Sequence, residues 1–345
     1  MKNNPYTLSF GTVPTQQIAR NQETAKIFDE FNSDQPSQYM YIITGVRGSG
    51  KTVLMSEMAD KFGKEKNWIV VSLNPEMDLL TGLASKLSNE QSLVKKLKAD
   101  KVNLSFFGFG VELSTGPKIT DIEVALEKIL QSVKKQGKKV LVTIDEATAN
   151  ENMKIFAGSY QILIRNGLPL FLLMTGLYEN IYALQNEKNL TFLWRAPKID
   201  LQMLNIGAIT DNYRRNLRTD LERSTQLAKE TLGYAYAFQV LGWQIYEKGD
   251  TDEAMADYKL QLDQYVYEKI WSELSRKDKK VLYACANTPS HRILDIRETL
   301  NMSTNQFNPY RMRLIRKGIL NGNERGYLYF SLPLFDRYVI ENYYE

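Results

Sequence analysis

The sequence predicts an α/β protein: a parallel sheet first, then a helical middle, then a small mixed module at the C-terminal end. Three observations carry this. Short, continuously apolar runs alternate with helical patterns over the first two hundred residues. Runs of that kind suit strands buried on both faces, as in a parallel sheet covered by helices. From Asn205 to about Ile270 only helical spacing remains. From Trp271 onward helices give way to a short strand-like tail.

Taken in order, residues 39–44 (YMYIIT) form a short aromatic and β-branched run, hence a buried strand. A glycine-rich loop follows, then a helix through about Phe62. WIVVSL (68–73) is a second strand, and helical patterns run from about Asp78 to Ala99. Val102–Leu113, with Gly108 and Gly110 between apolar arms, reads as an inserted hairpin. In residues 119–137, Ile122, Ala125, Leu126, Ile129 and Val133 recur at helical spacing, and Gly137 closes the helix. KKVLVTIDEA (138–147) is an apolar strand ending in two acids. A helix from about Met153 to Asn166, the strand PLFLLMTG (169–176), the helix LYENIYAL and a last short strand APKIDL (196–201) complete this part.

Composition narrows the chemistry. The 345 residues are 43% hydrophobic and 24% charged, ordinary for a globular protein with room for two or three domains. One cysteine, Cys285, and one histidine, His291, exclude an internal disulfide, a cysteine zinc site and paired-histidine metal sites. Catalysis therefore rests on carboxylates, lysines, arginines, hydroxyls and backbone amides. Few cysteines suit a reducing cytoplasm. No apolar run is long enough to span a bilayer, and Met1–Phe10 lacks the apolar core of a secretory signal. Residues 271–345 hold 12 lysines and arginines against 8 acids, so the whole net charge of +4 lies there.

Residues 45–52 read GVRGSGKT and fit G-x-x-x-x-G-K-[ST] in full, after a strand and before a helix. The glycines Gly45, Gly48 and Gly50 let the loop curl, with Val46, Arg47 and Ser49 between them. Successive N–H groups then point inward as an anion nest, and the helix N-terminus adds positive potential. Lys51 is placed to reach the β- and γ-phosphates, and the Thr52 hydroxyl to ligate Mg²⁺.

This loop resembles the Walker A motif of P-loop NTPases, and VLVTIDE (140–146) resembles Walker B. The resemblance implies Mg²⁺ coordination by Asp145 and polarisation of the attacking water by Glu146. A separate strand ending in Asp-Glu resembles the catalytic-glutamate (ASCE) branch, AAA+-like in its order. There Thr175 would be the polar sensor at the next strand's end, and Arg195 an arginine acting in cis or in trans. Residues 10–31, with Ala19-Arg20, resemble the N-terminal segment of AAA+ and STAND ATPases, which packs near the adenine. Residues 205–270 resemble the helical lid of that group. The lid segment TLGYAYAFQVLGW has no sensor arginine, and Gly233-Tyr234-Ala235 lacks the proline of the related Gly-aromatic-Pro sequence, which favours a switch over a ring motor. Tyr234, Tyr236 and Phe238 read as core.

In the last module, residues 271–287 read as one helix with Cys285 on its apolar face. His291 reads as a surface or capping residue before the helix ILDIRETL. Asn308 and Pro309 then read as N-cap and first residue of a helix over 310–318, followed by a hairpin turning at Asn321-Gly322. Three helices and a hairpin resemble a winged helix-turn-helix. Arg311, Arg313, Arg316, Lys317 and, in the wing, Arg325 would then face the phosphates of double-stranded DNA. No residue is identifiable as a base reader.

The whole resembles bacterial and archaeal ATP-binding proteins of the AAA+/STAND type, related to origin-recognition ATPases. The expected domains are an ATPase over 1–204, a lid over 205–270 and a winged helix over 271–345. The expected partners are ATP, Mg²⁺, duplex DNA and further copies of the chain. Three readings stand at this point: a DNA-binding ATPase switch, a signalling or scaffold ATPase whose winged module binds protein, and a small-molecule kinase. The acidic pair and the C-terminal module argue against the kinase.

Overall fold

The computed structural model describes residues 4–9, 14–100 and 121–344, so the hairpin expected at 102–113 lies outside the described residues. The chain divides into two compact units. The sheet unit comprises Arg20–Thr44 and Lys51–Asp200; the helical unit comprises Met1–Ala19, Gly45–Gly50 and Leu201–Glu345.

In the sheet unit the chain runs α1 (Asn21–Asn32), β1 (Met40–Thr44), α2 (Lys51–Gly63), β2 (Trp68–Leu73), α3 (Leu79–Ser88), α4 (Gln91–Ala99) and α5 (Ile122–Lys135). It continues through β3 (Lys139–Ile144), α6 (Glu151–Arg165), β4 (Leu170–Gly176), α7 (Tyr178–Gln185), a 3-10 turn (Thr191–Arg195) and β5 (Lys198–Asp200). The five strands are parallel, in the order β2-β3-β4-β1-β5. Alternation along each strand sorts the apolar residues between two faces. Val140, Val142, Leu170, Leu172 and Met174 join a core with α3, α5 and α6 residues. Phe171 instead meets Phe31, Trp68 and Tyr39 in an aromatic cluster that also takes in Phe62. Each such buried side chain contributes about 1.5–3 kcal/mol relative to exposure. Polar side chains set the helix starts: Asp78, Asp121 and Asn150 accept hydrogen bonds from first-turn amides, each worth ~1 kcal/mol.

Strand register brings the chemistry together. Ile43 lies opposite Thr175, Thr44 opposite both Gly176 and Asp200, and Ile144 opposite Met174. Thr44, Asp145, Thr175 and Asp200 thus end their strands on one edge of the sheet, the edge where ligands bind in open α/β folds.

The helical unit contains α8 (Ile206–Asn216), α9 (Leu221–Glu230), α10 (Ala235–Lys248), α11 (Asp252–Leu262), a π-helical turn (Asp263–Tyr267), α12 (Glu268–Ser272), α13 (Arg276–Ala286), α14 (Ile293–Leu300), α15 (Thr304–Arg316), β6 (Leu320–Asn321), β7 (Tyr329–Phe330) and α16 (Phe335–Asn342). One apolar core runs from Tyr6 and Tyr213 through Tyr234, Tyr258 and Tyr267 to Phe335 and Val339, so position 270 falls inside it. Tyr267 donates to the Pro333 carbonyl, and Arg337 donates to both Asp263 oxygens at 2.7 and 2.9 Å. Cys285 is buried as expected, and burial pushes its thiol up to about 12.

The C-terminal module departs from the sequence reading in four places. Residues 271–287 are two helices, not one, because Ser275 caps α13 by accepting from the Asp278 amide. The third helix starts at Thr304, not at 309: Ser303 and Gln306 close a reciprocal capping box, and Pro309 sits inside α15. The hairpin does not turn at Asn321-Gly322. β6 and β7 pair antiparallel through Leu320–Phe330 and Asn321–Tyr329. The segment before β7 is held elsewhere, since the Leu328 amide donates to the His291 carbonyl and the Ile293 amide to the Gly326 carbonyl, each at 2.9 Å. Finally, the tail ends in a helix, α16, which buries Phe335, Tyr338 and Val339 at helical spacing. His291 itself has a left-handed backbone, φ +54°, and its ring lies 5.0 Å from that of Tyr329. Among the described residues no helix is long and apolar enough to cross a membrane.

Candidate nucleotide site

Lys51 and Thr52 open α2, directly after the glycine loop. The Thr52 hydroxyl donates to Oδ2 of Asp145 at 2.9 Å, across 93 residues of chain. The other oxygen of Asp145, Oδ1, accepts from the Thr175 hydroxyl and, at 3.1 Å, from the Glu146 amide. The Glu146 amide also reaches Thr175 Oγ1 at 3.1 Å, and the Ala147 amide donates to the Thr175 carbonyl at 2.8 Å. Thr175 has no exposed surface. Its hydroxyl is therefore committed to orienting the acidic pair. Glu146 has a left-handed backbone, φ +52°, which ends the strand direction and leaves its side chain exposed. One strand further along the edge, the Thr44 hydroxyl donates to Asp200.

The donor set fits a magnesium-bound nucleotide. A hydroxyl and a carboxylate side by side are hard oxygen ligands, and Mg²⁺ takes few such protein groups, leaving its other positions to phosphate and water.

The loop itself, Gly45–Gly50, belongs to the helical unit. Gly48 and Gly50 have φ of +76° and +92°, where a side chain is strained. A Cβ on Gly48 would also lie 2.2 Å from Tyr234 Oη. The Tyr234 hydroxyl donates to the Arg47 carbonyl at 2.5 Å, and the Tyr236 amide to the Gly48 carbonyl at 3.1 Å. The Arg47 guanidinium lies 3.4 Å from Glu273, which also pairs with Lys269 at 3.2 Å. Burial holds the Tyr234 phenol well above its usual range and pushes Tyr236 up to about 12, so both remain protonated at neutral pH.

Residues 20–165 match the family model described as an ATPase domain predominantly from Archaea. Residues 264–339 match a model described as a domain of unknown function. No curated protein matches the sequence. Among solved structures, a Walker-type ATPase of Pyrococcus abyssi is 16% identical, with 97% of this chain and 99% of that one covered, at a TM-score of 0.67. The Aeropyrum pernix ORC2 protein, solved in ADPNP–ADP complexes, is 13% identical, with 96% and 95% covered, at 0.60. Cdc6p from Pyrobaculum aerophilum is 13% identical, with 96% and 97% covered, at 0.50. The chain has the P-loop ATPase fold, related to that of the origin-recognition ATPases.

Within this P-loop ATPase fold the expected residues are not all gathered together. In the sheet unit Thr52, Asp145, Glu146 and Thr175 form one hydrogen-bonded cluster. Arg195 is exposed at the end of the 3-10 turn, beside exposed Trp194. Of the C-terminal cations, Arg316 and Arg325 are exposed and Arg311 and Lys317 half-buried. Arg313 differs, because its guanidinium donates at 2.5 and 3.1 Å to Asp278, which is itself 3% exposed. Sequence reasoning missed three groups: the Thr44–Asp200 pair, Glu273, and the hydroxyl of Tyr234. Only Tyr234 carried a signal, its place in the Gly233-Tyr234 sequence, and that pointed to core rather than to the loop.

Proposed function

We propose that this protein binds Mg²⁺–ATP, hydrolyses it to ADP and phosphate, and uses the cycle as a switch in the cytoplasm. The carrying observation is the Thr52–Asp145 pair at 2.9 Å, with Glu146 beside it. The archaeal ATPase family match and the nucleotide complexes of the Aeropyrum pernix neighbour support it. The loop amides of Gly45–Gly50 and the Lys51 ammonium would hold phosphate charge. Thr52 and Asp145 would hold Mg²⁺, which when bound supplies positive charge at the transferred phosphoryl group. Glu146 would accept the proton of the attacking water on its carboxylate, and Thr175 would keep both acids in place. Arg195 would add positive charge at the phosphates, in cis or, in a homo-oligomer, in trans. The domains would be an ATPase over 1–204, a lid over 205–270 and a winged helix-turn-helix over 271–345, the last two sharing one apolar core.

Duplex DNA is the proposed partner of that last module, supported by the basic surplus of residues 271–345 and by Arg311, Arg316, Lys317 and Arg325. A second reading, protein contact without DNA, is favoured by exposed Leu294 and Met312 on α14 and α15. Two experiments separate these. Calorimetry with magnesium and ATP or ADP, followed by phosphate release, tests the site; absence of binding at millimolar nucleotide removes the proposal. Duplex binding across a salt series tests the partner. A steep salt slope that flattens in Arg311→Ala/Arg316→Ala supports DNA, whereas no duplex binding together with ATP-driven oligomerisation supports protein contact. Arg313 is left intact in this test, because its loss strands a buried carboxylate.

A further inference from the structure

The segment TLGYAYAFQVLGW holds no arginine, yet the helical unit holds the phosphate loop by other means. Every residue from Val46 to Gly48 is engaged within the helical unit. Val46 is 7% exposed and belongs to that unit's apolar core. The Arg47 carbonyl accepts from Tyr234 Oη, the Arg47 side chain pairs with Glu273, and the Gly48 carbonyl accepts from the Tyr236 amide.

These contacts act on peptide planes. In a trans peptide the C=O and the N–H point to opposite sides. Holding the Arg47 carbonyl toward Tyr234 therefore turns the Gly48 N–H the other way. The Gly48 carbonyl is held toward Tyr236, and the Ser49 amide closes on the Val46 carbonyl at 3.1 Å, which braces the turn of the loop. An anion nest needs its amides converged before the anion arrives, since free rotation of each plane would have to be lost on binding.

We propose that Tyr234 is a positioning residue of the phosphate cradle. Through the Arg47 carbonyl it presets the Gly48 amide for a nucleoside di- or triphosphate, and the Arg47–Glu273 pair reinforces the same setting. The helical unit thereby sets nucleotide affinity through a phenol and a backbone amide. This rests on the nucleotide-binding reading above and adds to it a controlling residue.

The test compares fluorescent ADP and ATP analogues, with magnesium, on the intact chain and on Tyr234→Phe. The substitution keeps the ring and its packing and removes only the hydroxyl. A neutral hydrogen bond of ordinary strength corresponds to an affinity loss of about three- to tenfold, read as a faster dissociation rate. Glu273→Gln should weaken binding in the same direction by roughly twofold, as suits an exposed pair. In an Arg47→Gln background it should change nothing further. A lowered Tm with unchanged affinity would mark Tyr234 as merely structural and overturn the inference. Tighter binding overturns it too, because the contact would then be inhibitory. Additive effects of Arg47→Gln and Glu273→Gln overturn the role of the pair. If the unaltered chain takes up neither analogue, the site reading and this inference fall together; if it binds both and Tyr234→Phe binds equally, only this inference falls.

Discussion

The sheet unit fixes its acidic cluster, and the helical unit its glycine loop, by different chemistry. In the sheet unit the carboxylate of Asp145 is gripped by two hydroxyls, from Thr52 and Thr175, whose positions follow from a helix start and a strand end. In the helical unit the acceptors are backbone carbonyls of the loop, and the donors are a phenol and an amide at the start of α10. The first arrangement is set by strand register and the start of α2. The second is set by tertiary packing around tyrosines. Acids that move protons and ligate metal need fixed lone pairs, whereas a loop that receives phosphates needs its amides aimed.

The comparison is broken most sharply at Glu146. Glu146→Gln should lower steady-state ATP hydrolysis by about 10²–10⁴-fold with nucleotide affinity unchanged, since it removes only a proton acceptor. Normal turnover in this variant would end the assignment. Lys51→Ala should act on the other side of the balance, weakening ATP binding by roughly 10–100-fold, as expected for a charge-assisted contact, with the far-UV spectrum unaltered. Thr175→Val sharpens the contrast further. The shape is kept, but Oδ1 of Asp145 and the Glu146 amide each lose a partner. Hydrolysis should fall by about tenfold, with a cost in unfolding free energy on the order of 1–3 kcal/mol.

The smallest effect is a dependence on alkaline pH. Burial raises the phenols of Tyr6, Tyr213, Tyr234, Tyr258 and Tyr267 above their ordinary value of 10, and pushes Tyr236 up to about 12. Raised folded-state values mean that this stabilisation is complete below pH ~10 and is lost as pH rises through them, because the unfolded chain gives up its protons first. Urea midpoints should be flat from pH 8 to about 9.5 and fall steadily above 10. An unchanged midpoint at pH 11 would show that these phenols do not anchor the fold.

The strands were readable because burial on both faces writes a continuous apolar run: WIVVSL became β2 to the residue, and β3 lies inside the longer run read over 138–147. The acidic pair stood out because it ends a strand that follows a Walker A-like loop; alone, an acidic strand end is as often ordinary. The start of α15 was misread although Ser303 and Gln306 stand in the sequence. Asn308-Pro309 is the stronger local signal, and only the capping box decides between them. The grip of Tyr234 on the loop was not readable at all. Its acceptor is a carbonyl, which every residue has, and its pairing spans 187 positions. Glu273 was hidden for the same reason, as one acid among many on a helical surface.

The unit that contains the loop is assembled from Met1–Ala19, Gly45–Gly50 and Leu201–Glu345. A ribosome delivers these stretches far apart in time. The strands of the sheet are all synthesised once Asp200 has left the exit tunnel, and a domain can fold at that stage. The partners of Arg47 and Gly48, at Tyr234, Tyr236 and Glu273, are still to come. A nascent chain arrested near residue 220 therefore carries the whole motif GVRGSGKT without the donors that set it. On the role proposed for Tyr234, tight capture of a nucleotide would wait until Tyr234 and Glu273 have emerged.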